Sequence, residues 1–572
     1  MNWGSEGIKL NNFKFKNIVI ILITLFVFLV SIMGGQVEYA INDDVFRNLI
    51  SVGAFGDKYS YYIPYSNVLY GIPLYGLSKI APGINWYYWL MLGLDVIAVM
   101  SICLCLLKKS NVFFAAFITV IINISLARDF YIVIQFTKSG SLWMVAGAVI
   151  FFSLILAQDH KWIWGILLFL YGVSCRIHCF YMLLPFLALW VLVFLLNCQK
   201  QYPIDYKRIR KRLFVLGVSV VVVISSEYVY RFLNPEWSIH WEYDAASAKL
   251  LDHMYMEYEH DEAAYDLINT NRSDLELYKN WIYGDLDFYD LDWLKNVARI
   301  ENKHNETEVR FDPVIIYKTI IAMVEAPVRL PIECVGIIAL TYLMVIVQLT
   351  DKSIIGKLFA LANLGGLYGI TYYFVCVNRL MWRAECGVYL AVVAFLMLYR
   401  MMFVAIEDKE VEHIGVITAV CALVTVIIVG SYSANMAYQW WFVKDRQLCT
   451  HYGDISGRLM ECRDDKDSIY LLTEFYVTNN PLDITRAKWE GLYENSIYLG
   501  GWLIPSPIGL YYAREHGISN PMLELVNSDK AFLCSNNPSM VNMIEDHLSK
   551  VMGEQITFEM VGEGLWKVKS DE

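Results

Sequence analysis

Two adjacent carboxylates, Asp43 and Asp44, follow the first long apolar run of the chain and lead into a Tyr-rich stretch. A carboxylate placed beside a hydroxyl can take its proton, and a second one can orient the first or share a divalent cation with it. The same residues suit the start of a helix, where Asn42 or Asp43 would cap the first turn by accepting backbone N–H groups. The two uses are compatible, because a capping position keeps a carboxylate ionised. Cations recur at positions that a membrane topology brings to the same side. Arg47 lies one turn after Asp43, and Arg176 and His178 sit in Ser174-Cys-Arg-Ile-His-Cys. Arg379 and Arg383 are spaced i, i+4 in Asn378-Arg-Leu-Met-Trp-Arg-Ala-Glu, and Arg128 and Lys138 flank another short turn. Guanidinium groups bind phosphate oxygens in pairs, so this set is a candidate cradle for a phosphate or pyrophosphate. The plainer use of these cations is pairing with Glu227, Glu333 or Glu385, or contact with lipid headgroups.

The elements that must hold these residues are membrane spans. Of the 572 residues 57% are hydrophobic and the mean hydropathy is +0.42, well above a soluble domain. Apolar runs near 17–35, 85–107, 111–128, 139–157, 161–175, 179–198, 213–232, 329–350, 356–377, 385–404 and 413–432 are candidate spans. Lys9, Lys14 and Lys16 precede the first run, which places the N-terminus in the cytoplasm. No small-residue cleavage site follows, so the run reads as a retained anchor. Lys108-Lys109 and the tract Lys200, Lys207, Arg208, Arg210, Lys211, Arg212 then fall inside. The outer segments are acidic: residues 233–325 carry 20 Asp/Glu against 8 Lys/Arg, and residues 433–572 carry 20 against 12. With a net charge of −11 the chain is no nucleic-acid binder.

Residues 65–80 are apolar but short and interrupted by Asn67, Gly71, Pro73, Gly76 and Lys79, so they read as a surface helix rather than a span. The first outer loop, 36–84, thus holds two short helices. The first begins near Asp43 and carries Val45, Phe46, Leu49, Ile50 and Val52 as an apolar stripe. The loop's Tyr59, Tyr61, Tyr62 and Tyr65 form an aromatic cluster that suits an interfacial belt or, alternatively, a platform for a sugar ring. Residues 1–432 form a transmembrane module and 433–572 a small outer α/β domain. Within the latter, strands are expected at Ser468-Ile-Tyr-Leu-Leu, Ala531-Phe-Leu-Cys, 555–560 and 565–568, with a helix over 537–551. Cys449, Cys462 and Cys534 fall in this tail, an odd number without metal-ligand spacing. Asp95 sits mid-span, where an acid faces the bundle interior, but it lacks a partner in sequence. No nucleotide-binding or hydrolase motif stands in a fitting context, which argues against a nucleotide-driven pump.

With Ile41-Asn-Asp-Asp-Val-Phe after the first span, two surface helices, Pro82-Gly-Ile-Asn-Trp-Tyr before the second span, a large loop after the seventh and an outer C-terminal domain, the chain resembles the GT-C superfamily. These are polytopic membrane glycosyltransferases that use polyprenyl-phosphate-linked sugars. The resemblance covers most of residues 1–432 and is one of architecture. It implies an α-helical polytopic protein of about 11 transmembrane helices in a bacterial cytoplasmic membrane. It further implies inverting transfer of a hexose or pentose to an envelope glycan or lipid acceptor on the outer face. Asp43 or Asp44 inherits the role of base, or of ligand to a divalent cation; Arg47, Arg176, His178, Arg379 and Arg383 become the donor-phosphate set. The tryptophan-tryptophan-aspartate motif of oligosaccharyltransferases is missing, which disfavours protein asparagine as acceptor. The competing readings are a flippase for lipid-linked glycans and a non-catalytic assembly protein.

Overall fold

The computed structural model describes residues 3–34, 37–56, 60–157, 159–201, 206–305, 311–329, 335–404, 414–438, 465–473 and 495–569. Tyr59, Glu333, Cys449 and Cys462 lie outside them. The chain opens with α1 (Trp3–Gly34), the short strand β1 (Glu38–Tyr39), α2 (Asn42–Ser51) and α3 (Val68–Ile80). The bundle continues with α4 (Trp86–Leu106), α5 (Val112–Ala127), a π-helical turn at Arg128–Ile132, and β2 (Val133–Ile134), which pairs in parallel with β1. Then come α6 (Phe136–Leu154), α7 (Trp162–Cys175), α8 (Ile177–Gln201) and α9 (Tyr206–Leu233). A polar region of short helices follows: α10 (Pro235–His253), α11 (Glu262–Leu267), α12 (Arg272–Lys279) and α13 (Leu291–Glu301). The last helices before the tail are α14 (Pro313–Arg329), α15 (Val335–Leu349), α16 (Ile354–Cys376), α17 (Trp382–Phe403) and α18 (Ile414–Tyr438).

Among the described residues eight helices are long and apolar enough to cross a membrane, α1, α4, α5 with its π turn, α6, α8, α9, α16 and α17. Three shorter apolar helices, Trp162–Cys175, Val335–Leu349 and Val424–Ala437, occupy the other expected spans. α3 has 13 residues, too few to span, and it packs on α7 and α9 with Tyr70 and Leu74 buried. Asp95 is not isolated: it accepts hydrogen bonds from Ser139 Oγ at 2.7 Å and Trp143 Nε1 at 2.8 Å, both on α6. The mid-bundle acid is therefore consumed as a structural acceptor.

Glycine spacing explains the closest helix pair. Gly140 and Gly147 on α6 face Gly172 and Gly165 on α7, and a Cβ at Gly147, Gly165 or Gly172 would strike the opposing backbone. Small residues seven apart on both helices let the axes approach as they do at membrane helix seams. This seam fixes the end of α7, and hence Arg176, relative to the start of α6.

The tail builds a five-stranded sheet from β3 (Ile469–Leu472), β4 (Ser496–Tyr498), β5 (Ala531–Cys534), β6 (Phe558–Gly562) and β7 (Leu565–Val568). The order is β4-β3-β5-β7-β6, with β3, β4 and β5 parallel and the β6–β7 hairpin antiparallel. The helix Pro538–Met552 stands one residue from its expected bounds; β4 had no clear pattern in sequence. Sheet and polar region are joined, since Tyr283 N–H donates to Leu499 O and Gly501 N–H to Trp281 O, both at 3.0 Å. Gly500 lies between them, and an added Cβ would run into the Trp281 carbonyl. Gly500→Ala is accordingly expected to loosen this join, read as faster amide exchange at Tyr283 and Gly501 while the bundle amides keep their protection.

Candidate active site

The amphipathic stripe of α2 behaves as its spacing predicts, with Val45, Phe46, Leu49, Ile50 and Val52 all buried. Its N-cap differs from expectation. Ile41 holds the position in an extended conformation, and no side chain makes a capping hydrogen bond. Asn42, Asp43 and Asp44 all lie inside the first turn, and Asn42 is exposed. Neither carboxylate is committed to the helix terminus, and the two face different partners. Asp44 is fully buried and accepts from Tyr87 Oη at 2.8 Å and Phe136 N–H at 3.0 Å. Burial raises its carboxyl to about 7, against the pull of Arg47 and these two hydrogen bonds. Asp43 is half-buried and turned the other way, accepting from Trp502 Nε1 at 3.0 Å. Arg47 also points inward. Its guanidinium, completely enclosed, donates to Tyr87 Oη at 3.0 Å, Ser66 Oγ at 2.6 Å and the Pro64 carbonyl, and lies 3.9 Å from the centre of the Phe136 ring.

Asp43 stands within electrostatic reach of Tyr65, Arg176 and Asp244. Tyr65 is the pivot of this group. Its φ of +66° is a left-handed conformation that costs a non-glycine residue about 1 kcal/mol or more. Its carbonyl accepts from Arg176 Nη1 at 3.4 Å, its ring lies 5.1 Å from the Arg176 guanidinium, and its hydroxyl donates to Asp244 at 2.9 Å. Burial lifts the Asp244 carboxyl to about 6, opposed by the Tyr65 hydrogen bond and Arg176. Tyr65 also lines a cleft of about 210 Å³ between α7, α8 and α9, whose other lining residues include the apolar Val173, Ile177, Val223 and Ile224 and the polar His178, Glu227, Arg231 and Trp241. Arg231 stacks 3.8 Å over Trp241 and donates to Glu227 at 2.9 Å. Arg176, Arg231 and Arg379 all stand near His178.

Of the cations singled out in the sequence, Arg176, His178 and Arg379 therefore converge on the Asp43 side of the protein. Arg379 is already paired with Asp252 at 2.5 Å. Arg383 is half-buried in the first turn of α17 and has no ion pair among the described residues. Lys138 and Arg128 instead serve Asp129, at 2.8 and 3.4 Å, which also accepts from Trp382 Nε1. Glu227 binds Arg231, Tyr62 Oη and the Val68 N–H rather than the cations expected to claim it. Tyr62 is a packed residue, stacked on Tyr230 at 4.6 Å, and not part of a surface belt. Among the described residues no three His, Cys, Asp or Glu side chains are arranged to hold a metal ion.

Sequence reasoning missed Arg231, Asp244 and Trp502, and it read Tyr65 only as one member of an aromatic cluster. Arg231 carried the same signal as Arg176, a cation at the acidic end of a span. Asp244 was hidden among 20 acids in its loop, and nothing local ties Trp502 to a residue 459 positions earlier.

The eight span-length apolar helices among the described residues make this a multi-pass membrane protein. No protein-family model matches the sequence, and no curated protein does. Among solved structures the chain is similar to ArnT from Cupriavidus metallidurans bound to undecaprenyl phosphate, at 9% identity and a TM-score of 0.44, over 96% of this chain and 97% of that one. It is also similar to the apo state of the same protein, at 10% identity and a TM-score of 0.38 with equal coverage. Superposition this loose gives no residue correspondence, and the site stands on its own geometry.

Proposed function

We propose that the chain is an inverting membrane glycosyltransferase, moving a hexose or pentose from a polyprenyl-phosphate-linked donor to an envelope glycan or lipid acceptor. The observation that carries this reading is Asp43, half-buried and bonded through one oxygen, within electrostatic reach of Arg176 and of Tyr65, which lines a cleft shared by His178, Arg231 and apolar side chains. In this reading residues 1–432 are the transmembrane module and 433–572 an outer domain. The site opens on the outer face of the cytoplasmic membrane, with the N-terminus inside. Asp43 takes the proton of an acceptor hydroxyl, whose oxygen attacks the anomeric carbon as the bond to the polyprenyl phosphate breaks. In this reading Arg176, Arg231 and His178 face the departing phosphate, Arg379 and Arg383 complete the cationic set, and the prenyl chain runs along Val223, Ile224 and Tyr181. Asp44 and Arg47 hold α2 in place beneath the base rather than touching the sugar. A flippase would need charge exposed along the bundle at mid-depth, and Asp95 is already occupied there by Ser139 and Trp143.

The test is a strain deleted for this protein, complemented with wild type, Arg176→Ala or Arg231→Ala and profiled for polyprenyl-linked sugars and envelope glycans by mass spectrometry. The deletion should lose one glycan substituent and accumulate one lipid-linked sugar. Each Arg variant should cut purified turnover about 10²–10³-fold, the usual loss of a donor that stabilises developing charge. Normal glycan profiles in the deletion strain would sink the proposal.

A further inference from the structure

The C-terminal segment reaches back across the molecule to the first turn of α2. Trp502 is 7% exposed and lies just beyond the Gly500 join. Its indole ring meets Phe46 edge-on at 5.6 Å and Tyr65 at 5.3 Å, and its N–H donates to Asp43 Oδ1 at 3.0 Å. Two further contacts seat the same segment on the first loop, Tyr498 on Phe46 at 6.2 Å and Tyr512 on Phe55 at 5.8 Å.

We infer that Trp502 is a positioning residue for Asp43, so that the site on the transmembrane module is incomplete until the C-terminal segment is docked. This rests on the transferase reading above. An unrestrained aspartate exchanges among several χ1 rotamers and a broad range of χ2. Here one carboxylate oxygen is held by an indole that is itself clamped between Phe46 and Tyr65. The other oxygen, which takes no hydrogen bond among the described residues, is then presented in one direction. Tyr65 connects the two halves of the arrangement, because it touches Trp502 with its ring, Arg176 with its carbonyl and Asp244 with its hydroxyl. Docking thus aligns the proton acceptor with the cation that faces the donor phosphate.

The experiment has a part that needs no substrate and a part that does. In full-length protein labelled with [15N]indole tryptophan, the Trp502 N–H resonance is assigned by its loss in Trp502→Phe and followed in Asp43→Ala. The expected result is a clear shift of that resonance on loss of its carboxylate acceptor. Trp502 is then replaced by β-(3-benzothienyl)alanine, which keeps the bicyclic shape and deletes only the N–H. Turnover with a polyprenyl-phosphate-linked sugar should fall about ten- to a hundredfold, with KM for the donor unchanged. A merely structural tryptophan would show no such loss, since the isostere fills the same space. An unmoved resonance, or kcat equal to wild type in the isostere, overturns the inference. Wild-type protein that transfers no sugar from any such donor overturns the transferase reading, and the inference with it.

Discussion

Asp43→Asn is expected to lower sugar transfer about 10²–10⁴-fold while the protein stays folded, whereas Asp44→Ala is expected to weaken the fold itself. The two residues are neighbours in sequence, but the first turn of α2 sends them to opposite surroundings. At Asp43 the amide of asparagine fills the carboxylate's space and still offers an oxygen to Trp502, so the packing against Phe46 and Tyr65 survives. In the proposed mechanism, what disappears is the capacity to take a proton, and with it the chemical step. At Asp44 truncation removes the acceptor of Tyr87 Oη and the Phe136 N–H, both buried. Each orphaned donor costs about 1–3 kcal/mol, and the enclosed Arg47 loses the favourable electrostatic interaction with Asp44. Purified yield, melting temperature and kcat measured side by side on the two variants separate these outcomes. Equal kcat for Asp43→Asn and wild type would remove the base from the mechanism.

His547→Ala is expected to release the tail from the polar region. His547 is fully buried between two carboxylates, with Nδ1 2.6 Å from Asp274 and Nε2 3.1 Å from Asp285. Tyr289 stacks on its ring at 5.5 Å and Phe288 meets it edge-on at 4.9 Å. Lys550 joins Asp274 from the same helix as His547, and Asn520 bonds both Asp285 and Asp287. Removing one member of a buried charged cluster costs about 3–5 kcal/mol, and here Lys550 and Asn520 hold the loss near the lower figure. Amide protection across Pro538–Met552 and Arg272–Lys279 should fall by about two orders of magnitude.

The pH dependence of this joint has a fixed sign. Desolvation lowers the His547 imidazole, but the hydrogen bonds and charges of Asp274 and Asp285 outweigh it and leave it above its usual value. The stabilisation is therefore complete below about pH 6.5 and fades as pH rises through the raised value. Asp285 is also desolvated, yet His547 and Asn520 hold it below the usual carboxylate range. Its contribution is complete above about pH 4 and fades as the pH drops through the lowered value. Protection of the joint should thus peak between about pH 4 and 6.5 and decline on both sides.

How much of this could be read in the sequence depends on the range of each interaction. Spans were legible because a run such as 85–107 advertises its environment residue by residue, and all eleven expected runs coincide with apolar helices. The α2 stripe was legible for the same reason, since helical periodicity is local. The division of labour between Asp43 and Asp44 was not, because a rotation of 100° per residue decides it and only Tyr87, Phe136 and Trp502 reveal which side is core. The cap fell to Ile41 rather than Asn42, since extended backbone at Ile41 starts the helix one residue earlier. Lys138 and Arg128 looked like ligands from their position on the chain. They turned out to be spoken for by Asp129, whose place in a π turn no periodicity announces.

The hydrogen bond from Trp502 to Asp43 also sets a clock. The two residues are 459 positions apart, so at 5–20 residues per second the ribosome delivers the tryptophan roughly 20–90 seconds after the aspartate. Until then Asp43 lacks the indole that restrains it, so in the transferase reading proposed above the aligned base is among the last features the growing chain acquires.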